Sequence, residues 1–233
     1  MKTAIVAAAL LCAAFDASAD VLYPAALTFE PGYASDPPSA FPVVGLPAVG
    51  DPLTIVGRVS AASAPFADLL PSGPYELTYA VDGATCVGLG YWDGPCSDGY
   101  DATFHNGVLT FYLDTTPDAD FTNPATFRDG EVVLLAQVKP LVLMNDDPYE
   151  ACPMEPDKPD LHAYLSFIGG TWFARVSHDG TGFVGLDLGE IDDNVPAGLQ
   201  ALGYTFRVDG TVDIFGPVPV MPTTWGRVKA LYR

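Results

Sequence analysis

Over 233 residues the chain carries 29 acidic and 10 basic side chains, a net charge of −19, yet 49% of it is hydrophobic. So acidic a surface repels nucleic acid and anionic lipid and excludes both as partners. The length and apolar content suit one large domain or two small ones.

The chain opens on a targeting pattern. Lys2 is the only early charge, Ala4 to Phe15 is apolar, and Ala17-Ser18-Ala19 offers small residues for cleavage before Asp20. The apolar run is too short for a membrane anchor. Cys12 lacks the preceding small residue of a lipoprotein site, and no later run approaches membrane length. Residues 1–19 therefore read as a signal peptide. The expected destination is extracellular or the cell surface, with the periplasm as the alternative, and the remaining chain is not expected to span a membrane. The leader holds one acid, Asp16, and one base, Lys2, so the rest keeps the full −19.

A first strand is expected near Leu22 to Phe29, followed by irregular chain to Pro52 and a second strand over Leu53 to Ser60. Ala61 to Leu70 reads as a loop or one helical turn. Tyr75 to Val81 alternates, with Tyr75, Leu77, Tyr79 and Val81 on one face, as a half-buried strand does. Tyr100 to Asp114 reads as a hairpin about Asn106-Gly107, a pair that tolerates positive φ. A two-residue loop puts Phe104 opposite Leu109, Ala102 opposite Phe111 and Tyr100 opposite Leu113. Val132 to Leu135 is apolar on both faces, so Glu131 to Lys139 reads as a doubly covered strand ending before Pro140.

After an acidic loop, Asn145 to Asp160, Leu161 to Val176 reads as a hairpin about Gly169-Gly170, with Phe167 facing Trp172. Gly182 to Leu188 is a further strand and Asn194 to Leu202 a short helix. Tyr204 to Phe215 reads as a hairpin with a three-residue loop, Val208-Asp209-Gly210. That register puts Phe206 against Val212 and Tyr204 against Ile214, and leaves Arg207, Thr211, Thr205 and Asp213 on the polar face.

Nine to eleven short strands with turns between them predict an all-β fold, an antiparallel β-sandwich of Greek-key or Ig-like type. No linker interrupts the middle, so residues 20–216 are expected to form one domain. Residues 217–233 follow as a Pro-rich spacer and a basic tail.

Cys86, Cys96 and Cys152 follow the leader. In an oxidising compartment Cys86 and Cys96, flanking Val87 to Pro95, are the expected disulfide, while spacing leaves the state of Cys152 open. The histidines, His105, His162 and His178, form no His-Glu-x-x-His pattern, and the chain has neither Cys-x-x-Cys nor Gly-x-Ser-x-Gly. Catalysis is therefore not the first expectation.

Three acidic loops stand out: Asp114 to Asp120, Asp146 to Asp160, and Glu190 to Asp193. Hard cations need several converging oxygens. Glu190, Asp192 and Asp193 are the candidate calcium ligands, with Asp146, Asp147 and Glu150 as a second set; solvated loops are the plain alternative. Tyr91 and Trp92, inside the expected disulfide ring, could stack on a sugar, with Asp93 accepting hydroxyl hydrogen bonds. The alternative is that both rings fold back to plug the domain.

The tail differs from the rest. Thr223 to Arg233 has no acid and carries Arg227, Lys229 and Arg233, behind a stiff spacer with Pro217, Pro219 and Pro222. Thr224 could cap a short C-terminal helix with Trp225, Val228 and Tyr232 on one face. This ending resembles the Trp-Gly-x-Ile/Val-Lys-x-x-Tyr-Arg terminus of uncharacterised secreted proteins of environmental Gram-negative bacteria, where it follows a small β domain. The resemblance covers Thr223 to Arg233 only, with Val228 at the aliphatic position. It implies a sorting or attachment signal carried by Trp225, Lys229, Tyr232 and Arg233; a terminal helix docked by Trp225 is the alternative.

The functional expectation is an exported, non-catalytic domain with a structural or adhesive role, its partner a cell-surface component or a glycan. A carbohydrate-binding module, calcium-assisted, is the rival. A secreted glycoside hydrolase is the third reading, since paired carboxylates are its requirement, but so acidic a chain supplies pairs by chance.

Overall fold

A computed structural model describes residues 21–35, 47–93, 97–148, 160–176, 183–190 and 195–215. The strands are β1 (Val21–Ser35), β2 (Pro52–Ala62), β3 (Glu76–Asp93), β4 (Ser97–His105), β5 (Val108–Asp114), β6 (Glu131–Pro148), β7 (Asp160–Gly169), β8 (Phe183–Glu190) and β9 (Tyr204–Phe215). One short helix, α1 (Ala197–Gln200), precedes β9. No helix among the described residues is long and apolar enough to cross a membrane.

The fold is all-β and antiparallel, as expected, but it is not a two-sheet sandwich. The strands form a single sheet whose two ends meet, because β2 pairs with β3 as well as with β1. β9 pairs with β1 along its length, from Ser35 opposite Tyr204 to Val21 opposite Phe215. Among the described strands the order is a next-neighbour meander closed into a barrel, with no Greek-key crossing. Within the ring, closure removes the exposed edges that an open sheet must protect.

The three expected hairpins are not hairpins. β4 and β5 do not pair with each other. They lie end to end, β4 along the second half of β3 and β5 along the first half. β6 follows both on the other side. Asn106, at φ 66°, interrupts one long course without reversing it. A two-residue turn and a one-residue bulge change side-chain parity equally, so Phe104 and Leu109 share a face either way. Tyr204 to Phe215 is likewise one strand. Phe206 and Val212 lie an even number of residues apart, so a straight strand puts them on one face as the hairpin would. Gly210, at φ 145°, stays within the strand opposite Phe29. At Gly169-Gly170 the chain leaves the sheet into a 3-10 turn, Phe173–Arg175, instead of pairing back.

The doubly covered strand is also resolved differently. A bulge at the Val132–Leu134 step turns both Val133 and Leu134 inward and leaves Val132 outside. β6 continues through Pro140, which sits in a second irregularity between Val138 and Leu141. A proline is tolerated there because the ladder is already interrupted.

Inside the ring the side chains are apolar and close-packed. Phe29, Phe111, Leu27, Ile55, Leu109, Leu134 and Leu165 are fully buried. Phe66 stacks on Trp172, with centroids 5.4 Å apart. The decisive contact is Tyr79. Its ring lies over Gly57 on β2 and reaches Gly32 on β1, and these two glycines are ladder partners. A Cβ on Gly32 would come within 2.1 Å of the Tyr79 hydroxyl oxygen. Only glycine leaves room for a ring lying across two strands.

Tyr79 is fully buried, its hydroxyl has no hydrogen-bond partner among the described residues, and burial pushes its pKa far above the phenolic range. Gly32→Ala should therefore destabilise the barrel by about 1–3 kcal/mol, the usual cost of overpacking. Tyr79→Phe alone should cost little, since the hydroxyl it removes is unsatisfied. In the double variant Tyr79→Phe should recover part of the Gly32→Ala loss. Urea unfolding of the four proteins measures the coupling; strictly additive losses would contradict this packing.

Candidate functional site

Two outer surfaces depart from a plain barrel wall: a strap on the ring and a wing above it. The strap is the segment 115–130 between β5 and β6, which crosses the outside of β1, β2 and β3. It covers a second apolar cluster of Tyr33, Val56, Ala80, Phe127, Val195 and Tyr204, with Phe121, Tyr112 and Leu199 packed against it. Phe121 meets Tyr33 edge to face at 4.6 Å and Phe127 at 4.7 Å. Ala80 and Thr78 are buried for this reason, although they face away from the barrel interior.

Charged groups pin the strap. The Glu76 carboxylate accepts the backbone N–H groups of Asp118 at 2.6 Å and Ala119 at 2.8 Å. Arg58 donates to the Ala119 carbonyl, lies 3.9 Å from Glu76 and has its guanidinium carbon 5.7 Å from the Phe121 ring centre. Arg128 clamps Asp82 through two N–H donors, at 2.7 and 3.1 Å. That hydrogen bonding holds the Arg128 pKa above its ordinary value. The Thr78 hydroxyl donates to the Phe127 carbonyl at 3.0 Å, and the Tyr204 hydroxyl to the Phe121 carbonyl at 3.1 Å. Strand propensity and turn chemistry announce none of these partners, because nearly all of them join positions more than 40 residues apart.

At the strap's start, Glu76, Asp114 and Asp118 bring one carboxylate oxygen each within 4.8 Å of one another. The Asp114 to Asp120 loop stood out as acidic, but the ligand sets expected from the sequence, Glu190, Asp192 and Asp193 or Asp146, Asp147 and Glu150, are different residues. Glu76 joins this loop because β3 and β5 pair Glu76 with Asp114. One Glu76 oxygen is already committed to two N–H groups, which makes this side chain first of all an anchor. Desolvation, then the charges of Asp129, Asp114 and Glu76, raise the Asp118 pKa above its ordinary value.

The wing is the part of β3, β4 and β6 that continues past the first residues of β2. Pro52 pairs with Thr85, and Asp51 and Gly50 bond Cys86 through one last pair of backbone groups. Beyond that level β3 is paired only with β4 among the described strands, up to Asp93 opposite Asp98. β6 follows β4 to Pro148 opposite Ser97.

The predicted ligand-binding residues lie on this wing. Tyr91 pairs with Tyr100 and Trp92 with Gly99. Tyr91 is 62% exposed and Val87 45%, so Tyr91 does not fold back as a plug. Side-chain placement of Trp92 and Asp93 lies outside the described residues. Of the predicted metal ligands, Glu190 closes β8 opposite Asp160, while Asp192 and Asp193 lie outside the described residues, as does Glu150.

The Cys86–Cys96 bridge finds no support. Cys86 is buried, Cys96 lies outside the described residues, and the ladder runs seven residues past Cys86 to Asp93, about 23 Å of strand. Disulfides need Cα atoms within about 7 Å. Cys152 and the tail residues Trp225, Lys229, Tyr232 and Arg233 also lie outside the described residues. The histidines are not brought together: His105 ends β4 and His162 faces outward on β7, with His178 outside the described residues.

No protein-family model, no curated protein and no solved structure matches the chain.

The strap gives a direct prediction. Glu76→Gln should speed hydrogen exchange at the Asp118 and Ala119 amides while leaving the barrel amides protected. Because the folded state raises the Asp118 pKa, it binds that proton more tightly than the unfolded chain. This contribution to stability is present at low pH and is lost as the pH rises above about 4. Asp118→Asn removes the repulsion, so its melting temperature should exceed that of the parent by a margin that grows as the pH rises from below about 4, the ordinary aspartate value, toward neutrality. A margin independent of pH would show that the cluster does not repel.

Proposed function

We propose that the chain is an exported, non-catalytic β protein with a structural or adhesive role at the cell surface, and that the wing is its contact surface. The observation that supports this reading most is the β3 edge from Val87 to Tyr91. Among the described strands it is paired on one side only, it exposes Val87 and Tyr91 while Leu89 packs against the core, and it carries neither a lysine nor a proline. Edges are ordinarily blunted by such residues, and an edge left without them is suited to pairing. The barrel has apolar residues inside and Arg58, Ser60, Thr103, Gln137, Lys139 and Ser166 outside. A barrel that crosses a membrane with its strands has the reverse alternation. The tail resemblance adds a sorting or attachment signal to this reading.

Exposure of Tyr91 on a hydrogen-bonded strand favours one second reading, a carbohydrate-binding module using Tyr91, Trp92 and Asp93. A held aromatic face is what stacking on a sugar needs. Calcium assistance from Glu76, Asp114 and Asp118 does not follow, since these lie toward the opposite end of the long β3–β4–β5 ladder from Tyr91.

Purified protein should co-sediment with envelopes of the expressing cells and should turn over no substrate in a broad hydrolase screen. Tyr91→Ala should weaken the envelope binding while leaving the melting curve unchanged, because Tyr91 is largely exposed. Robust turnover, or envelope binding indifferent to changes on the wing, would overturn the reading. A glycan array run with Tyr91→Ala and Trp92→Ala separates the second reading from the first.

A further inference from the structure

The wing is strongly one-signed. Residues 86–93, 97–104 and 141–148 include Asp93, Asp98, Asp101, Asp146 and Asp147 and no basic residue. The ladder gathers four of these at its tip: Asp93 is opposite Asp98, Asp98 is opposite Asp147, and Asp146 pairs with Gly99. The Asp101 carboxylate lies over Gly90, where a Cβ would come within 2.0 Å of it. A strand that adds to this edge must therefore be free of acids and gains from carrying bases.

One stretch of the chain has that chemistry. Thr223 to Arg233 is acid-free, carries Arg227, Lys229 and Arg233, and has no proline to interrupt a ladder. Its position decides which molecule it can serve. β9 runs opposite to β1, and β1 in the same sense as β3, so Phe215 leaves the barrel at the end where β3 begins. The edge starts at Val87, about 36 Å of strand from Glu76. Residues 216–224, three of them proline, reach at most about 30 Å. The tail of the same molecule falls short, whereas the tail of a neighbour has no such limit.

We propose that the C-terminal segment 225–233 of one copy adds as a strand to the β3 edge, Val87–Asp93, of the next copy, giving head-to-tail assembly. The inference rests on the wing being the contact surface and names its partner as a second copy of this chain. Donor and acceptor lie at opposite ends of the barrel, so the contact is heterologous and extends into open chains. Backbone hydrogen bonds supply the attachment, as in other strand-addition interfaces, and the opposite charges supply selectivity.

Analytical ultracentrifugation of the full exported chain tests this. Its mean mass should rise with protein concentration and fall with added salt, which screens the attraction between tail and wing. Val87→Lys with Tyr91→Lys should raise the dissociation constant roughly tenfold or more, by repulsion and edge protection. Deleting Thr223–Arg233 should give monomers, and an unchanged melting curve of the deleted form shows that its loss of assembly does not reflect misfolding. Hydrogen exchange at the Gly88–Asp93 amides should slow in the assembled form. A monomer at every concentration, or assembly unaltered by the lysine pair, would overturn the proposal. If that monomer still binds envelopes through Tyr91, the proposed adhesive role stands and only the partner is wrong; if it binds neither, both fail.

Discussion

A tyrosine ring can lie across neighbouring strands only where those strands carry no side chains. The architecture turns on that condition at Tyr79, Gly57 and Gly32, which are consecutive partners across β3, β2 and β1. The ring fills the space that two side chains would have taken, with Phe29 against it at 4.4 Å and Phe111 at 6.3 Å. The interior of an eight-stave barrel is just wide enough to be filled by side chains, and around Tyr79 the rings of Phe29 and Phe111 join the aliphatic residues that fill it. The cost is one phenolic hydroxyl without a partner among the described residues, set against continuous packing from β5 through β3 to β1.

How much of this was legible in the sequence follows from what alternation can and cannot encode. The inward residues Leu77, Tyr79, Val81, Ala102, Phe104, Leu109 and Phe111 are read correctly, because a period of two reports facing directly. Pairing is a different matter. Between Phe104 and Leu109, or between Phe206 and Val212, a reversal and a continuous course give the same pattern of faces, and the presence of Asn-Gly or Asp-Gly tips the reading toward reversal. Those dipeptides permit positive φ without requiring a turn. At Asn106 the permission is used for a kink, and at Gly210 for a strained but extended position. Once the hairpins are read as long strands, ring closure follows from pairing the first with the last, a contact between Val21 and Phe215 that no local signal carries.

The outer surface was less legible for a related reason. Glu76, Arg58, Asp82 and Arg128 look like ordinary polar positions on strands and a loop, yet they tie the strap to the ring across long sequence separations. Charge pairs of this kind are set by the fold and have no spacing of their own. The wing was half visible: Tyr91 and Trp92 stood out as adjacent aromatics in the stretch between Cys86 and Cys96. Their position on a hydrogen-bonded edge depends on β3 outrunning β2, which is a matter of relative strand lengths.

Three interruptions lie side by side where the wing leaves the ring. Gly83 on β3 has φ 74° and faces the Asn106 carbonyl, Asn106 breaks the next course, and Gly107 accepts from Val138 just before the Lys139-Pro140 irregularity of β6. Together they make a crease across the three strands that form the wing. A pull directed along those strands loads their cross-strand hydrogen bonds in shear, all at once, because the bonds stand perpendicular to the strands. A push across the sheet is instead taken up by bending at the crease. The wing is thus stiffer along its strands than across them.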